Sequence, residues 1–318
     1  MPVESIQQPQ VNYNESPVKQ LLKRYEHAKA IKDQWNGTFE ECYEYALPQR
    51  ESFYTETPGR KRTDRIFDET AVVGVQEFAS RLQAGIVPNY ARWADFVAGA
   101  EIPPDTEKEV NLMLDEVTDY IFEIIQNSNF SQEVHESFLD IALGTGVLLI
   151  EEGNATQPIV FKAVPLPHVC MTSGHDDKVD HIFRRRMIKM SELPIAYPQG
   201  LFDEKLMTEI GKNPDKECEV IEVVYRNYYN TKEEEYQFCA ITKEFEQKIY
   251  EETFKGIGAN PYIVYRWSKC AGETYGRGPL QLALPAIKTA NLVVELILEN
   301  AQMAISGMYQ VEDDGVIN

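Results

Sequence analysis

Residues 260–315 read NPYIVYRWSKCAGETYGRGPLQLALPAIKTANLVVELILENAQMAISGMYQVEDDG, and the reading of this stretch decides the fold. It opens on a strand-like run, Pro261 to Trp267. A compact elbow follows, Gly272-Glu-Thr-Tyr-Gly-Arg-Gly-Pro279. The chain must turn there from a strand into a helix. At least one of Gly276 and Gly278 is therefore expected to need a positive φ or a close backbone approach. Pro279 suits the first turn of a helix, where its missing N–H costs nothing. Arg277 is expected to reach an acid or a carbonyl. The helix itself runs from about Leu284 to Ser306. Lys288, Asn291, Glu295, Glu299 and Gln302 fall at three and four spacing on one narrow stripe. Ile287, Leu292, Val293, Val294, Leu296, Ile297, Leu298, Met303 and Ile305 cover almost everything else. A helix apolar on most sides must be surrounded by protein. Two arrangements satisfy that demand: a central helix inside one domain, or a helix packed between copies of itself in a ring, showing only the polar stripe.

Outward from this stretch the chain alternates in character. Met1 to Glu15 is polar and aperiodic and reads as a flexible tail. Ser16-Pro17 is an N-cap with proline at the first helical position. The following helix carries Leu21, Leu22, Tyr25, Ala28 and Trp35 and is expected to break at Asn36-Gly37. A second helical run covers Phe39 to Ala46. Gln49 to Thr63, with Pro58-Gly59 and the cluster Arg60-Lys-Arg-Thr-Asp-Arg65, reads as a surface loop. Its basic charge suits either plain solvation or contact with an acidic neighbour or DNA. Helices are expected over Asp64 to Val87, Glu107 to Gln126 and Ser131 to Leu143. In the second of these Val110, Met113, Leu114, Val117, Ile121, Ile124 and Ile125 form one apolar stripe. Glu101 to Glu123 holds eight acidic residues and one lysine, so the opposite face is anionic.

After Gly144-Thr-Gly146 the pattern turns to strands: Val147–Ile150, Ile159–Val164, Val169–Thr172, Val179–Met187, Cys218–Tyr229, Tyr236–Ile241, Gln247–Phe254 and Tyr262–Trp267. Turns at Ser173–Asp177 and Asn230–Lys232 separate neighbours. Short helices fit Met190–Tyr197 and Phe202–Gly211. The expected class is α+β.

Bulk properties bound the function. The chain has 318 residues, a net charge of −20 and 43% hydrophobic residues. That is enough for a folded core and argues against a surface that wraps DNA through phosphate contacts. It leaves room for a conduit, since like charge keeps a sliding polyanion from sticking. From charge alone, simple solubility is the favoured explanation. Cys42, Cys170, Cys218, Cys239 and Cys270 are odd in number, widely spaced and without a CxxC pair. They read as free thiols in a reducing compartment. No secretory signal and no run of about 18 uncharged apolar residues is present, and a soluble chain outside the membrane is expected.

Motifs for chemistry are weak. Gly144-Thr-Gly146 follows a helix and opens a strand, the reverse of a phosphate loop, and lacks the Gly-Lys-Ser/Thr ending. It reads as a helix C-cap and tight turn. His168, Cys170, His175 and His181 are zinc-ligand types at a spacing that matches no common zinc pattern. No nucleophile elbow is present. The carboxylates lie on helix surfaces. Arg184-Arg-Arg186 sits on a strand, so alternate arginines point to opposite faces, one of them toward local acids. No catalytic, cofactor or metal residue is assigned.

Several features in order resemble one family. They are the first helix with Trp35, then Tyr45-Ala-Leu-Pro48 and Phe53, then Ala79-Ser-Arg-Leu82 with Pro88 and Trp93, then Gly144-Thr-Gly-Val147, and last Arg266-Trp267 with Tyr275-Gly-Arg-Gly-Pro279. Together they resemble the portal proteins, or head-to-tail connectors, of short-tailed bacteriophages. The resemblance implies a structural, non-enzymatic ring, usually dodecameric, at one capsid vertex of the virion, assembled in the host cytoplasm. It implies a helical part of the wing over 16–150 and a β-rich part over 151–275. A stem helix over 276–306 follows, entered through the elbow Tyr275, Gly276, Arg277, Gly278 and Pro279, and a clip begins at 307–318. Family members continue through a returning stem helix and a crown, so a truncated chain is expected. Lys288, Asn291, Glu295, Glu299 and Gln302 become candidate channel-facing positions. Implied partners are further copies of the chain, a terminase-type packaging motor, tail adaptor proteins, the capsid protein and transient non-specific double-stranded DNA. Competing readings are a capsid or tail adaptor without its own channel, and a hydrolase with a dispersed site.

Overall fold

The fold is that of a computed structural model, which describes residues 16–50, 52–54, 63–174, 177–228 and 233–307. The tail at 1–15, Arg60-Lys61-Arg62, His175, the turn at 230–232 and the clip start from Met308 lie outside the described residues. The chain divides into two compact units, each built from separate stretches of sequence. One takes residues up to Trp35 and His168–Ile263. The other takes Asn36–Pro167 and everything from Val264. The spatial units are therefore discontinuous in sequence.

The long helix α1 (Pro17–Ala46) contributes to both units. It starts as expected, with the Ser16 hydroxyl accepting a hydrogen bond from the Lys19 N–H. The break expected at Asn36-Gly37 is absent. A glycine in a helix costs about 1 kcal/mol. Phe39, Cys42, Tyr43 and Ala46 continue the buried line without interruption, and each large side chain among them contributes about 2 kcal/mol by leaving water. Packing outweighs propensity.

In the first unit, β3 (Val169–Ser173), β4 (Val179–Lys189), β5 (Glu217–Arg226), β6 (Glu235–Thr242) and β7 (Gln247–Lys255) form an antiparallel meander in chain order. The odd residues Ile221 and Val223 of β5 pack under Leu21, Tyr25 and Ala28 of α1. The even residues Cys218 and Val220 meet Met190, Leu193, Tyr197 and Leu206, from the short helices α5 (Leu193–Ala196) and α6 (Glu204–Lys212) and the turn before them. The period of two assigns one face to each layer. Arg184 and Arg186 both pair with the buried Glu222 on one face, and Arg185 pairs with Glu219 on the other. Acids thus meet the arginines on both faces. Cys170 is sealed in the core under α1, and Arg24 contacts the His181 ring. Among the described residues no three acids, histidines or cysteines are placed to hold a metal ion.

The second unit holds α2 (Thr70–Ile86), α3 (Pro104–Gln126), α4 (Phe130–Ile141) and a three-stranded sheet. The sheet order is β2 (Ile159–Ala163), β1 (Thr145–Glu152), β8 (Tyr262–Arg266). The final helix α7 (Pro279–Ser306) completes it. α2 begins six residues later than the sequence suggested. Asp68 accepts both the backbone N–H and the hydroxyl of Thr70, and that local turn replaces the first helical turns.

The apolar stripe of α3 is only partly covered: Met113 is 65% exposed and Val117 47%. The buried line runs instead through Thr118 and Phe122. A strap, Pro88 to Ala98, which turns at Asn89-Tyr90 and carries no helix or strand after it, occupies that line. Arg92 binds Asp115 and Asp119, Phe96 donates to the Thr118 hydroxyl, and Ala98 donates to Asn111. Side-chain partners for the strap's backbone outcompete an apolar seam. Leu112, Met113, Val117 and Tyr120 are left on the surface.

Candidate functional site

The elbow and the turn between α4 and β1 form one joint. The sequence offered them as two separate glycine signals, and the structure presses them together. Carbon at Cβ of Gly144 would collide with the Gly276 carbonyl, at Gly276 with the Gly144 carbonyl, and at Gly278 with the Ala142 carbonyl. Gly144 also sits at φ 133°, a region closed to other residues. Gly276 and Gly278 thus meet the expectation through close approach, not through positive φ.

The close approach lets two helix ends satisfy each other. The last carbonyls of a helix and the first N–H groups of another have no partners within their own helices. Here the Gly278 N–H donates to the Leu143 carbonyl at 2.9 Å, and the Leu280 N–H donates to the Ala142 carbonyl at 3.0 Å. The Gln281 amide also donates to the Leu143 carbonyl. Gly276 donates to the Thr145 hydroxyl at 2.8 Å, and Trp267 donates to the Gly144 carbonyl at 2.9 Å. The positive end of α7 therefore faces the negative end of α4, a favourable dipole arrangement.

Side chains brace the joint. Tyr275 is fully buried, its ring edge-on to Phe39 at 6.0 Å. Arg277 makes a two-pronged contact with Glu273, at 2.6 and 2.9 Å. The hydrogen bonds from Arg277 hold the Glu273 carboxyl below its ordinary range. Pro279 takes the first helical position, as expected. Pro285 also lies inside the helix.

A buried polar cluster supports α4 from below, and no sequence motif marked it. Asp140, in the last turn of α4, accepts the Tyr43 hydroxyl at 2.7 Å, and Arg50 approaches it while pairing with Glu136 at 2.9 Å. Burial raises the Asp140 carboxyl despite Arg50 nearby, and burial followed by the Asp140 charge pushes the Tyr43 hydroxyl up. The only cue in sequence was an aspartate in an otherwise apolar helical stripe.

The five polar positions of α7 separate into two groups. Asn291 is buried at 6% exposure. Its side-chain oxygen accepts the N–H groups of Phe67 at 2.7 Å and Asp68 at 3.1 Å, and its amide donates to the Arg65 carbonyl at 2.9 Å. Lys288 pairs with Glu41 at 2.7 Å and lies over the Tyr45 ring. Both are taken up by the unit's own body. Glu295 is half-buried, and Glu299 and Gln302 are exposed. On the side turned away from the body lie Leu282, Val293, Leu296 and Ile297, 47% to 81% exposed.

α7 is also long and apolar enough, by length and composition, to cross a membrane. Its attachment argues otherwise. Only Leu292 to Ser306 extends beyond Asn291, which at 1.5 Å per residue is about 22 Å, short of the ~30 Å of a hydrocarbon core. Glu295 and Glu299 would both be costly in lipid.

The family described as bacteriophage head to tail connecting protein matches this chain over residues 18–318. A curated relative, the probable portal protein of Bordetella phage BPP-1, is 21% identical over 294 residues, which cover 85% of this chain and 50% of that protein. The chain thus spans about half the length of this relative.

Proposed function

The chain belongs to the bacteriophage head-to-tail connecting protein family, and on that premise we propose that it is a structural subunit of a portal ring at one capsid vertex. The ring is a conduit for viral DNA during packaging and ejection and a docking site for a terminase-type motor, tail adaptors and the capsid protein. Twelve copies are the number the family resemblance implies.

One observation carries this reading. α7 is fixed to its own subunit along one side while Leu282, Val293, Leu296 and Ile297 on the other side remain in water. Apolar area of that kind marks an interaction surface. A neighbouring copy of the same helix fits it, since a ring joins different faces of identical subunits. The exposed face of α3, with Leu112, Met113 and Tyr120, is a second surface for neighbours to cover. Glu295, Glu299 and Gln302 are the proposed channel-facing positions. A carboxylate-lined wall with a net subunit charge of −20 repels rather than grips phosphate.

Native mass spectrometry and a gel-shift assay test the proposal together. Rings should form at micromolar concentration. Free duplex should bind weakly, with binding gone by about 200 mM salt, as counterion release requires. A strictly monomeric chain would refute the ring, and tight salt-resistant binding would refute the conduit. Changing Glu295 and Glu299 to Lys should permit assembly and slow DNA passage; an unaltered rate would remove these positions from the channel wall.

A further inference from the structure

We propose that Asn291 is a positioning residue that fixes the direction in which α7 leaves its unit and thereby the number of copies that close a ring. This rests on the ring assembly proposed above. The starting point is mechanical. The elbow holds α7 at its first turn only. A helix of the length Pro279–Ser306 is a lever of about 40 Å. Held at one end, it pivots.

Small pivots matter for closure. Successive subunits in a ring of about twelve are rotated by about 30°, and adding or removing one copy changes that angle by about 2.5°. A tilt of 2.5° over a 40 Å lever moves the tip by about 2 Å. That is enough to replace one side-chain packing by another. A ring of one size therefore needs a second fixed point on the helix, some distance from the elbow.

Asn291 supplies it, twelve residues along from Pro279, or about 18 Å. The segment 65–68 crosses α7 at this level, and its backbone presents two N–H groups and one carbonyl. Only a side chain with an acceptor and a donor on one rigid plane meets all three. The Asn291 amide does so, with its oxygen on the Phe67 and Asp68 N–H groups and its nitrogen on the Arg65 carbonyl. Aspartate has no donor for Arg65, and leucine has neither group. The Asn291 side of the attachment is buried while the 65–68 segment is partly exposed, so water replaces the three bonds only by reaching a side chain that is out of its contact. The neighbouring Lys288–Glu41 pair has side chains 38% and 47% exposed, and an exposed pair of that kind sets direction poorly. Asn291 sits on the polar stripe by sequence but acts toward its own subunit.

The test compares wild type with Asn291→Leu and Asn291→Asp in the full chain. Spin-labelled unnatural residues at Gln302 and Ser80, both exposed in the same unit, report the direction of α7 without involving the cysteines. Amide exchange at Phe67 and Asp68 reports the attachment. Native mass spectrometry reports ring size. In Asn291→Leu we expect exchange at the two amides to rise about tenfold or more, the label distance distribution to broaden, and ring sizes to spread over neighbouring numbers. Asn291→Asp keeps both accepted bonds and should lie between, which provides the test if the leucine variant does not fold. A narrow distance distribution in both variants overturns the positioning role. A broadened distribution with rings of a single unaltered size overturns the link to stoichiometry. A wild-type chain that forms no ring refutes the assembly reading instead, and the label distances still decide whether Asn291 holds the helix.

Discussion

The two halves of α7 are made of similar residues and held in opposite ways. From Pro279 to Asn291 the helix buries Leu280, Leu284 and Asn291. Its first N–H groups are taken by α4, and its midpoint is taken by the 65–68 segment. From Leu292 to Ser306 no residue is buried, although Leu292, Val293, Leu296, Ile297, Leu298, Met303 and Ile305 are all 47% exposed or more. The first half is completed by the chain's own fold. The second has the composition of a core without a core around it. Hydrophobicity alone therefore does not tell where a helix is buried; attachment points do.

The sharpest way to break this contrast is at the joint. Gly144→Val or Gly278→Val puts Cβ into a backbone carbonyl. Neither helix end can then reach the other, and a loss of about 4 kcal/mol or more is expected, at the diagnostic end of single substitutions. Urea unfolding or failure to recover soluble protein would report it. A variant with an unshifted midpoint would show that the joint is not what holds the first half.

The second half should behave in the reverse manner. Replacing Leu296 and Ile297 together by Ser should leave the unfolding free energy of the isolated chain, from urea titration, within about 0.5 kcal/mol of wild type. Self-association should weaken by about 2 kcal/mol, or thirtyfold, because the lost apolar area is buried only between copies. Sedimentation equilibrium measures the second quantity. A large drop in the chain's own stability with unchanged association would reverse the assignment of the two halves.

Smaller effects sharpen the boundary. Glu295→Gln with Glu299→Gln should move stability by less than about 0.5 kcal/mol, since Glu299 is exposed and Glu295 half-buried, so both keep contact with water. Thermal melts suffice to check it. The smallest effect concerns acid. The Glu273 carboxyl is held low by Arg277. A depressed folded-state value means that its contribution is present above the ordinary carboxylate pKa of about 4.5 and fades as pH falls below it. The pair is on the surface, so the shift in melting temperature between pH 6 and pH 3 due to this pair should be barely measurable. Arg277→Met should remove it. A large acid effect traced to Glu273 would mean that the elbow depends on charge and not on the glycine contacts.

Much of this was legible in the residues. The order of helices and strands, the α+β class and the elbow with Pro279 opening a helix follow from local signals, and the motifs in their order resembled the family that the match over residues 18–318 shows. Periodicity, glycine and proline act over a few residues, and a single chain carries them plainly. Other features needed the folded chain. Asn36-Gly37 looked like a break and is not one, because the decision lies with Phe39 and Tyr43 finding a core far along the sequence. The α3 stripe is plainly apolar in sequence and half of it lies outside, because the strap pairs Phe96 with Thr118 and Ala98 with Asn111. Gly144 and Gly276 each announced a turn, and neither announced that it would touch the other. Asn291 looked like one member of a polar stripe. Its role depends on three backbone groups more than 220 residues away in the chain. Sequence determines what a residue can offer; which groups arrive to accept the offer is settled only when distant segments meet and their buried polar groups must all be paired.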